Sequence, residues 1–231
     1  MRILAFDAST EICAVALGDG EHWAERSEHA GSRHSELLLP MIRALLAETG
    51  TAMRDLDGIA FGAGPGSFTG LRIACGVAQG LCLGADLPVV GIASLEAMAH
   101  AAGAAHGWSR VATALDARMH EVYFAAFECE GGRWRARVEP CVLPPSEVPK
   151  LDGRWCGAGN GFAAYPALGE RLANALDACD ESALPTAVAI GSLALPRFAA
   201  GAATPARDAA PLYVRHRVAL TTTERNAGQN L

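Results

Sequence analysis

The feature that most constrains the fold is an apolar run that leads into a glycine-rich loop and then into a nearly uncharged helix, at residues 58–72. Its sequence is GIAFGAGPGSFTGLR. The run predicts a buried strand at residues 59–61, and the spacing after it predicts a helix over residues 67–83. Backbone N–H groups at a helix N-terminus favour phosphate or carboxylate, so this loop could hold an anion.

The loop matches neither of the common nucleotide-binding motifs. A Walker-type loop needs Lys and then Ser or Thr after its last glycine, whereas Gly70 is followed by Leu71 and Arg72. The Rossmann spacing G-x-G-x-x-G fails because Thr69 occupies the third glycine position. The G-x-S-x-G elbow of serine hydrolases is also absent around Ser67.

Strand and turn signals on both sides of this segment predict a mixed sheet covered by helices. Pro40 should kink the first helix or mark its true start, and Ser94 could cap a later one. Strands are expected at residues 2–8, 12–17, 22–28 and 89–92, and further helices at residues 36–49 and 94–105.

The opening of the chain is echoed near its middle. The sequence AFDASTEICAVAL at residues 5–17 is similar to ALDARMHEVYFAAF at residues 114–127, and both read as a strand, Asp-Ala, a turn and a strand. Internal duplication and chance similarity of two hairpins are both compatible with this pattern.

Composition limits the class of partner. The 231 residues are 51% hydrophobic and carry a formal net charge of −6, with Lys150 as the only lysine. A long phosphate backbone would find little attraction unless the arginines cluster, so nucleic-acid binding by this chain alone is not expected. The seven cysteines are scattered without a C-x-x-C pair, which predicts neither a disulfide framework nor a zinc site.

The N-terminus and the apolar stretches favour a cytoplasmic protein without membrane contact. No signal segment precedes the first predicted strand. The uncharged stretch at residues 73–85 is shorter than the roughly 20 residues that span a bilayer.

The two N-terminal helices have more apolar and small residues than one buried face requires. Gly76 and Gly80 recur four residues apart, and two interior glycines cost about 2 kcal/mol relative to alanine. Either the chain's own sheet or a helix of another subunit could approach that face. In the preceding helix one apolar stripe contains Leu38, Met41, Ile42 and Leu45, while Leu37 and Leu39 fall outside it.

Asp7 ends the first predicted strand and is followed by the hydroxyls of Ser9 and Thr10. This arrangement is similar to the magnesium and phosphate corner of actin-like ATPases, and a turn-forming Asp explains it equally well. Together with the glycine-rich loop, the candidate vestigial phosphate or nucleotide corner comprises Asp7, Ser9, Thr10, Gly64, Gly66, Ser67, Thr69 and Gly70.

Several separated motifs resemble those of the TsaB family, also called YeaZ, and occur in that family's order. The resemblance runs from Met1 to about Val218 and is specific because the motifs are many and well separated. They are DAST at 7–10, RHSELLLPM at 33–41, GPGSFTGLRI at 64–73, LDARMHEVY at 115–123 and PLYVR at 211–215.

The resemblance implies an α/β fold of the actin-like ATPase type (ASKHA, ribonuclease H-like). Two related mixed-sheet halves are expected, the second abbreviated, at residues 1–104 and 105–218. The polar residues 219–231 are expected to be a disordered tail.

The resemblance also implies a role in tRNA modification. Members of the family are non-catalytic partners of a catalytic paralogue, TsaD, and act with the ATPase TsaE. The complex transfers a threonylcarbamoyl group from threonylcarbamoyl-adenylate to N6 of adenosine 37 in tRNAs reading codons that begin with A. The chain would then contact tRNA only through the complex and need no cofactor of its own, although a nucleotide could lie at the partner boundary and a homodimer could form.

The resemblance further locates the missing metal site and the docking helices. The metal-binding histidines of the catalytic paralogue fall on Ser94 and Met98, and neither side chain replaces imidazole, so no metal site and no catalytic residue are expected. Docking would use residues 34–49 and 67–83. The predicted partner interface comprises His34, Leu38, Met41, Ile42, Leu45, Arg72, Gly76 and Gly80.

The sequence leaves open two other functions of the chain and the roles of three residues. The chain could be an autonomous ATPase or phosphotransferase that uses Asp7 and Thr10, or a peptidase, although no nucleophile is evident. Arg118, Glu121 and Tyr123 could serve hairpin packing or function.

Overall fold

A computed structural model describes residues 1–215 and contains two five-stranded sheets. In the first sheet the strand order is β3-β2-β1-β4-β5, with β1 to β3 antiparallel and β4 and β5 parallel to β1. The mixed sheet expected from the sequence is therefore confirmed. Its strands are β1 (Ile3–Asp7), β2 (Ile12–Gly18), β3 (Trp23–His29), β4 (Gly58–Gly64) and β5 (Val89–Ala93).

The three helices expected in this part of the chain are present. They are α1 (His34–Glu48), α2 (Phe68–Ala85) and α3 (Ser94–His106). Pro40 lies inside α1 and does not mark its start. The cap prediction for Ser94 is wrong, because β5 runs up to Ala93 and Ser94 is already the first helical residue.

The first sheet is covered on both faces, and strand alternation decides which residue meets which helix. Leu4 and Phe6 pack in one cluster with the inner faces of α1 and α2. Ile3 and Ala5 point the other way, towards α6 (Ala187–Ala199). By length and hydropathy α2 could cross a membrane, but its buried side packs in the first of these clusters, as in a core helix of a globular protein.

The second sheet repeats the topology of the first. Its order is β10-β9-β6-β7-β8, so again three antiparallel strands are followed by two parallel ones. This agreement favours internal duplication over chance similarity of two hairpins. The elements are β6 (Arg110–Asp116), β7 (Val122–Glu130), β8 (Arg133–Leu143), β9 (Trp155–Ala158), α4 (Gly161–Ala164), α5 (Pro166–Leu172) and β10 (Leu176–Asp180).

The helices connect the two halves. Leu95 and Met98 of α3 pack on the second sheet beside Val111, whereas α6, which follows the second sheet in the chain, packs on the first. The boundary predicted after residue 104 falls inside α3. The predicted tail at residues 219–231 lies outside the described residues.

Candidate functional site

A cleft of about 770 Å³ lies between the two halves, where the chain turns at the ends of the first strands of both sheets. One side is formed by the β1–β2 turn and the glycine-rich loop, and the other by the β6–β7 hairpin. Residues 211–215 are named here the strap, and Leu212, Tyr213, Val214 and Arg215 of the strap also line the cleft. Four residues of the predicted corner, Ser9, Thr10, Gly66 and Ser67, lie in the lining, which also includes Asp116, Arg118 and Asn160.

Asp7, however, is not among the described residues that line the cleft. It is 1% exposed and lies on the same strand face as Ile3 and Ala5, the face that α6 covers. Burial raises the pKa of its carboxyl from 3.8 to about 6. The corner prediction is therefore corrected for Asp7, and Gly64, Thr69 and Gly70 also lie outside the described lining.

The buried carboxyl of Asp7 is only half satisfied. Its Oδ2 accepts hydrogen bonds from the Ser9 N–H at 3.1 Å and the Ser9 hydroxyl at 2.8 Å. Within residues 1–215 its Oδ1 has no partner. A Cβ at Gly62 would lie 1.8 Å from this oxygen, so a larger residue there would have to displace the Asp7 carboxyl.

Close backbone packing explains the glycines of the loop. A Cβ at Gly66 would lie 2.3 Å from the Ser9 carbonyl oxygen, and a Cβ at Gly70 would lie 1.8 Å from the carbonyl oxygen of Ala8. The Ser67 N–H donates to the Ser9 carbonyl oxygen at 2.7 Å. Ser67 also caps α2, because its hydroxyl accepts from the Gly70 N–H at 3.3 Å.

On the opposite side of the cleft, Asp116 organises the β6–β7 hairpin. Its Oδ1 accepts from the Arg118 N–H and the Tyr165 hydroxyl, both at 2.8 Å, and its Oδ2 is 3.0 Å from the Arg118 guanidinium. Burial and this carboxylate raise the pKa of Tyr165 to about 12. Arg118, Met119 and His120 all have φ between +57° and +60°, a conformation that costs roughly 1–2 kcal/mol per residue.

Glu121 and Tyr123, whose roles the sequence left open, hold the strap. Glu121 forms an ion pair with Arg215, and the Arg215 guanidinium lies 5.8 Å from the centroid of the Tyr123 ring. The sequence reasoning missed this contact. The PLYVR motif at residues 211–215 was the available signal, but it did not indicate which residues Arg215 contacts.

The partner prediction for the α1 stripe is corrected. Leu38, Met41, Ile42 and Leu45 are at most 7% exposed and belong to the core under the helix, and His34 is also buried. The reason is that the one helical face with 3.6-residue spacing covers the chain's own sheet. Leu39, which falls outside the stripe, is 44% exposed.

The remaining residues of the predicted interface lie on the outer face of α2. Arg72, Gly76 and Gly80 are exposed, and a Cβ at either glycine would meet no atom of the described residues within 4 Å. These glycines therefore do not pack on the chain's own sheet, and that alternative from the sequence is wrong. Leu83 is 81% exposed, and Phe68 is 49% exposed with the Arg72 guanidinium 4.0 Å from its ring centroid.

Ser94 and Met98, which align with the histidines of the catalytic paralogue, are both fully buried. Met98 packs beside Gly159, where a Cβ would lie 3.0 Å from its sulfur. In the part of the chain that the structure describes, His, Cys, Asp and Glu form no group of three or more that could hold a metal ion.

Known proteins resemble this chain over nearly its whole length. Residues 27–203 match the family described as TsaD, tRNA N6-adenosine threonylcarbamoyltransferase. A protein of Escherichia coli strain K12, named tRNA threonylcarbamoyladenosine biosynthesis protein TsaB, is 40% identical over 95% of this chain and 96% of its own length. The chain belongs to the TsaB family. The TsaB protein of Haemophilus influenzae is 38% identical over 94% of this chain and 95% of its own length.

Solved structures bear out the fold expected of a TsaB family member. The structure described as YeaZ from Pseudomonas aeruginosa has a TM-score of 0.85 and 41% identity, over 92% of this chain and 99% of that chain. A second structure from that organism, described as an uncharacterized protein with similarity to peptidase YEAZ, has a TM-score of 0.86 and 40% identity, over 93% and 99%.

Proposed function

We propose that this TsaB family member is a non-catalytic subunit that binds and activates a TsaD-type transferase. With a TsaE-type ATPase, the complex would threonylcarbamoylate N6 of adenosine 37 in tRNAs that read codons beginning with A. The names of the curated relatives support the pathway, and the family description of residues 27–203 supports a partner of the same fold.

The observation that carries the docking proposal is the outer face of α2. Two glycines weaken this helix, and no side chain of the described residues approaches them in return. An exposed face with Phe68 and Leu83 at its two ends is suited to close packing against another helix. In this proposal Arg72, Gly76 and Gly80 contact the partner, while the buried α1 stripe only holds α1 on the sheet.

Other features of the chain support an accessory role in a cytoplasmic complex. A net charge of −6 with a single lysine favours tRNA contact through the partner. Ser94 and Met98 offer no imidazole for a metal, and an autonomous ATPase is disfavoured because Asp7 is buried and is not among the described residues that line the cleft. The same α2 face could also pair two copies of this chain, and a nucleotide could lie at the boundary with the partner.

Reconstitution tests this proposal. The catalytic subunit, the ATPase, threonylcarbamoyl-adenylate and tRNA are incubated with and without this chain, and modified adenosine is measured. Gly80→Arg should lower both partner binding and modification at least about tenfold, because the arginine would occupy the space where the partner backbone approaches.

A matched control is Gly169→Arg. Gly169 is also a helical glycine with no described atom within 4 Å of its Cβ position, but it lies in α5 of the second half. It should leave modification unchanged. A folded Gly80→Arg variant that supports full modification would show that α2 is not the docking surface.

A further inference from the structure

The N-terminal part of the strap is held by the first half of the molecule. The Leu212 N–H donates to the Ala63 carbonyl oxygen at 2.7 Å, beside the end of β4. The Tyr213 hydroxyl accepts a hydrogen bond from Arg72 Nε at 3.2 Å, and its ring centroid lies 5.8 Å from that of Phe68. The strap therefore contacts two side chains of the α2 outer face.

The second half of the molecule holds the other end of the strap. Arg215 forms its ion pair with Glu121 of the β6–β7 hairpin and lies over the Tyr123 ring. The Arg215 side chain is only 14% exposed, so this pair is less screened by water than a surface pair would be.

Between these ends the strap separates two cavities. Leu212 and Val214 line both the cleft and a second cavity of about 400 Å³, whose lining also includes Trp134 and Arg197. The position of the strap therefore sets one boundary of the cleft.

We propose that the strap couples the outer face of α2 to the β6–β7 hairpin, so that a contact at one changes the other. Only one residue separates Tyr213 from Arg215, so a displacement of the backbone at one anchor reaches the other within two residues. The coupling is reciprocal, because two sites linked through one element bias each other equally. The coupling links the proposed docking surface on α2 to the cleft. The role of α2 as a docking surface, and only that part of the inference, depends on the proposed function.

Hydrogen exchange of the whole chain, followed by mass spectrometry, tests the coupling without any partner. Tyr213→Phe removes the hydrogen bond to Arg72 but keeps the ring. It should speed exchange roughly threefold to tenfold at the start of α2 and also in the hairpin, where the Glu121 N–H donates to the Arg118 carbonyl oxygen. Arg215→Met should produce the same pair of changes from the opposite end.

Arg137→Met is the control, because it removes an arginine that pairs with Glu128 and Glu130 near the far end of β7 and not with a residue of the strap. It should alter exchange neither at the start of α2 nor in the turn of the hairpin at residues 117–121. If each strap variant changes exchange only at its own end, the coupling is wrong.

A second arm adds the catalytic subunit. Docking should slow exchange at the outer face of α2 and also in the hairpin, and protection confined to α2 would overturn the coupling. If the partner protects neither region, the docking proposal fails, while exchange in the isolated variants still decides whether the strap couples its two ends.

Discussion

Asp7→Asn should change how the stability of this protein depends on pH. Burial raises the Asp7 pKa from 3.8 to about 6, so the folded state holds this proton more tightly than the unfolded state does. The difference of about two pKa units means that ionised Asp7 lowers the free energy of unfolding by about 3 kcal/mol above pH 7. This penalty disappears as the pH falls through 6 towards 4.

The asparagine has nearly the same shape and can still accept hydrogen bonds from Ser9, but it does not titrate. Relative to the variant, the wild type should therefore gain about 1.5 kcal/mol when the pH is lowered from 7.5 to 5. Urea unfolding of both proteins at the two pH values measures this difference, and comparing the two proteins removes the contributions of other titrating groups.

Asp86→Asn, at an exposed position, controls for the loss of one negative charge from an acidic chain. The reasoning is refuted if the wild-type and Asp7→Asn free energies differ by the same amount at pH 5 and pH 7.5. In that case the carboxyl is not held in its protonated form by burial.

Four further substitutions test the packing described above by urea unfolding of the isolated chain. Gly76→Ala and Gly80→Ala should each raise the free energy of unfolding by about 0.5–1 kcal/mol, because both positions are helical and open; a decrease would mean that the chain itself packs there. Gly70→Ala should instead cost about 2 kcal/mol or more, since its Cβ would lie 1.8 Å from the Ala8 carbonyl oxygen, and a neutral effect would contradict that close approach. Leu45→Ala should cost about 2–5 kcal/mol, and a loss below 1 kcal/mol would show that Leu45 is not in the core.

The sequence predicted most elements of the first half because strong local signals bound them. Ser67 caps α2 as an N-cap residue should, and Gly18 and Gly20 bound the turn after β2. Ser94 was misread because a serine before an apolar run suits both a cap and a first helical residue. Only the length of β5 distinguishes these two positions.

The surface that an apolar helix or strand face packs against was harder to predict from the sequence. The α1 stripe has the composition of a core face and equally of a docking face, and the sequence does not say which surface it meets. Asp7 raised the same difficulty, because it is buried on the sheet face that α6 covers, and α6 lies far along the chain. The strap contact between Arg215 and Glu121 was also beyond local patterns.

The packing of α6 has a consequence for how the protein is made. Ile3, Ala5 and Ile92 are buried only when Ile190 and its helix lie over them. During translation this apolar face must therefore stay in contact with water, or with a chaperone, until residues 187–199 have left the ribosome. A fragment that ends after the first sheet would expose that face permanently and should aggregate instead of folding alone.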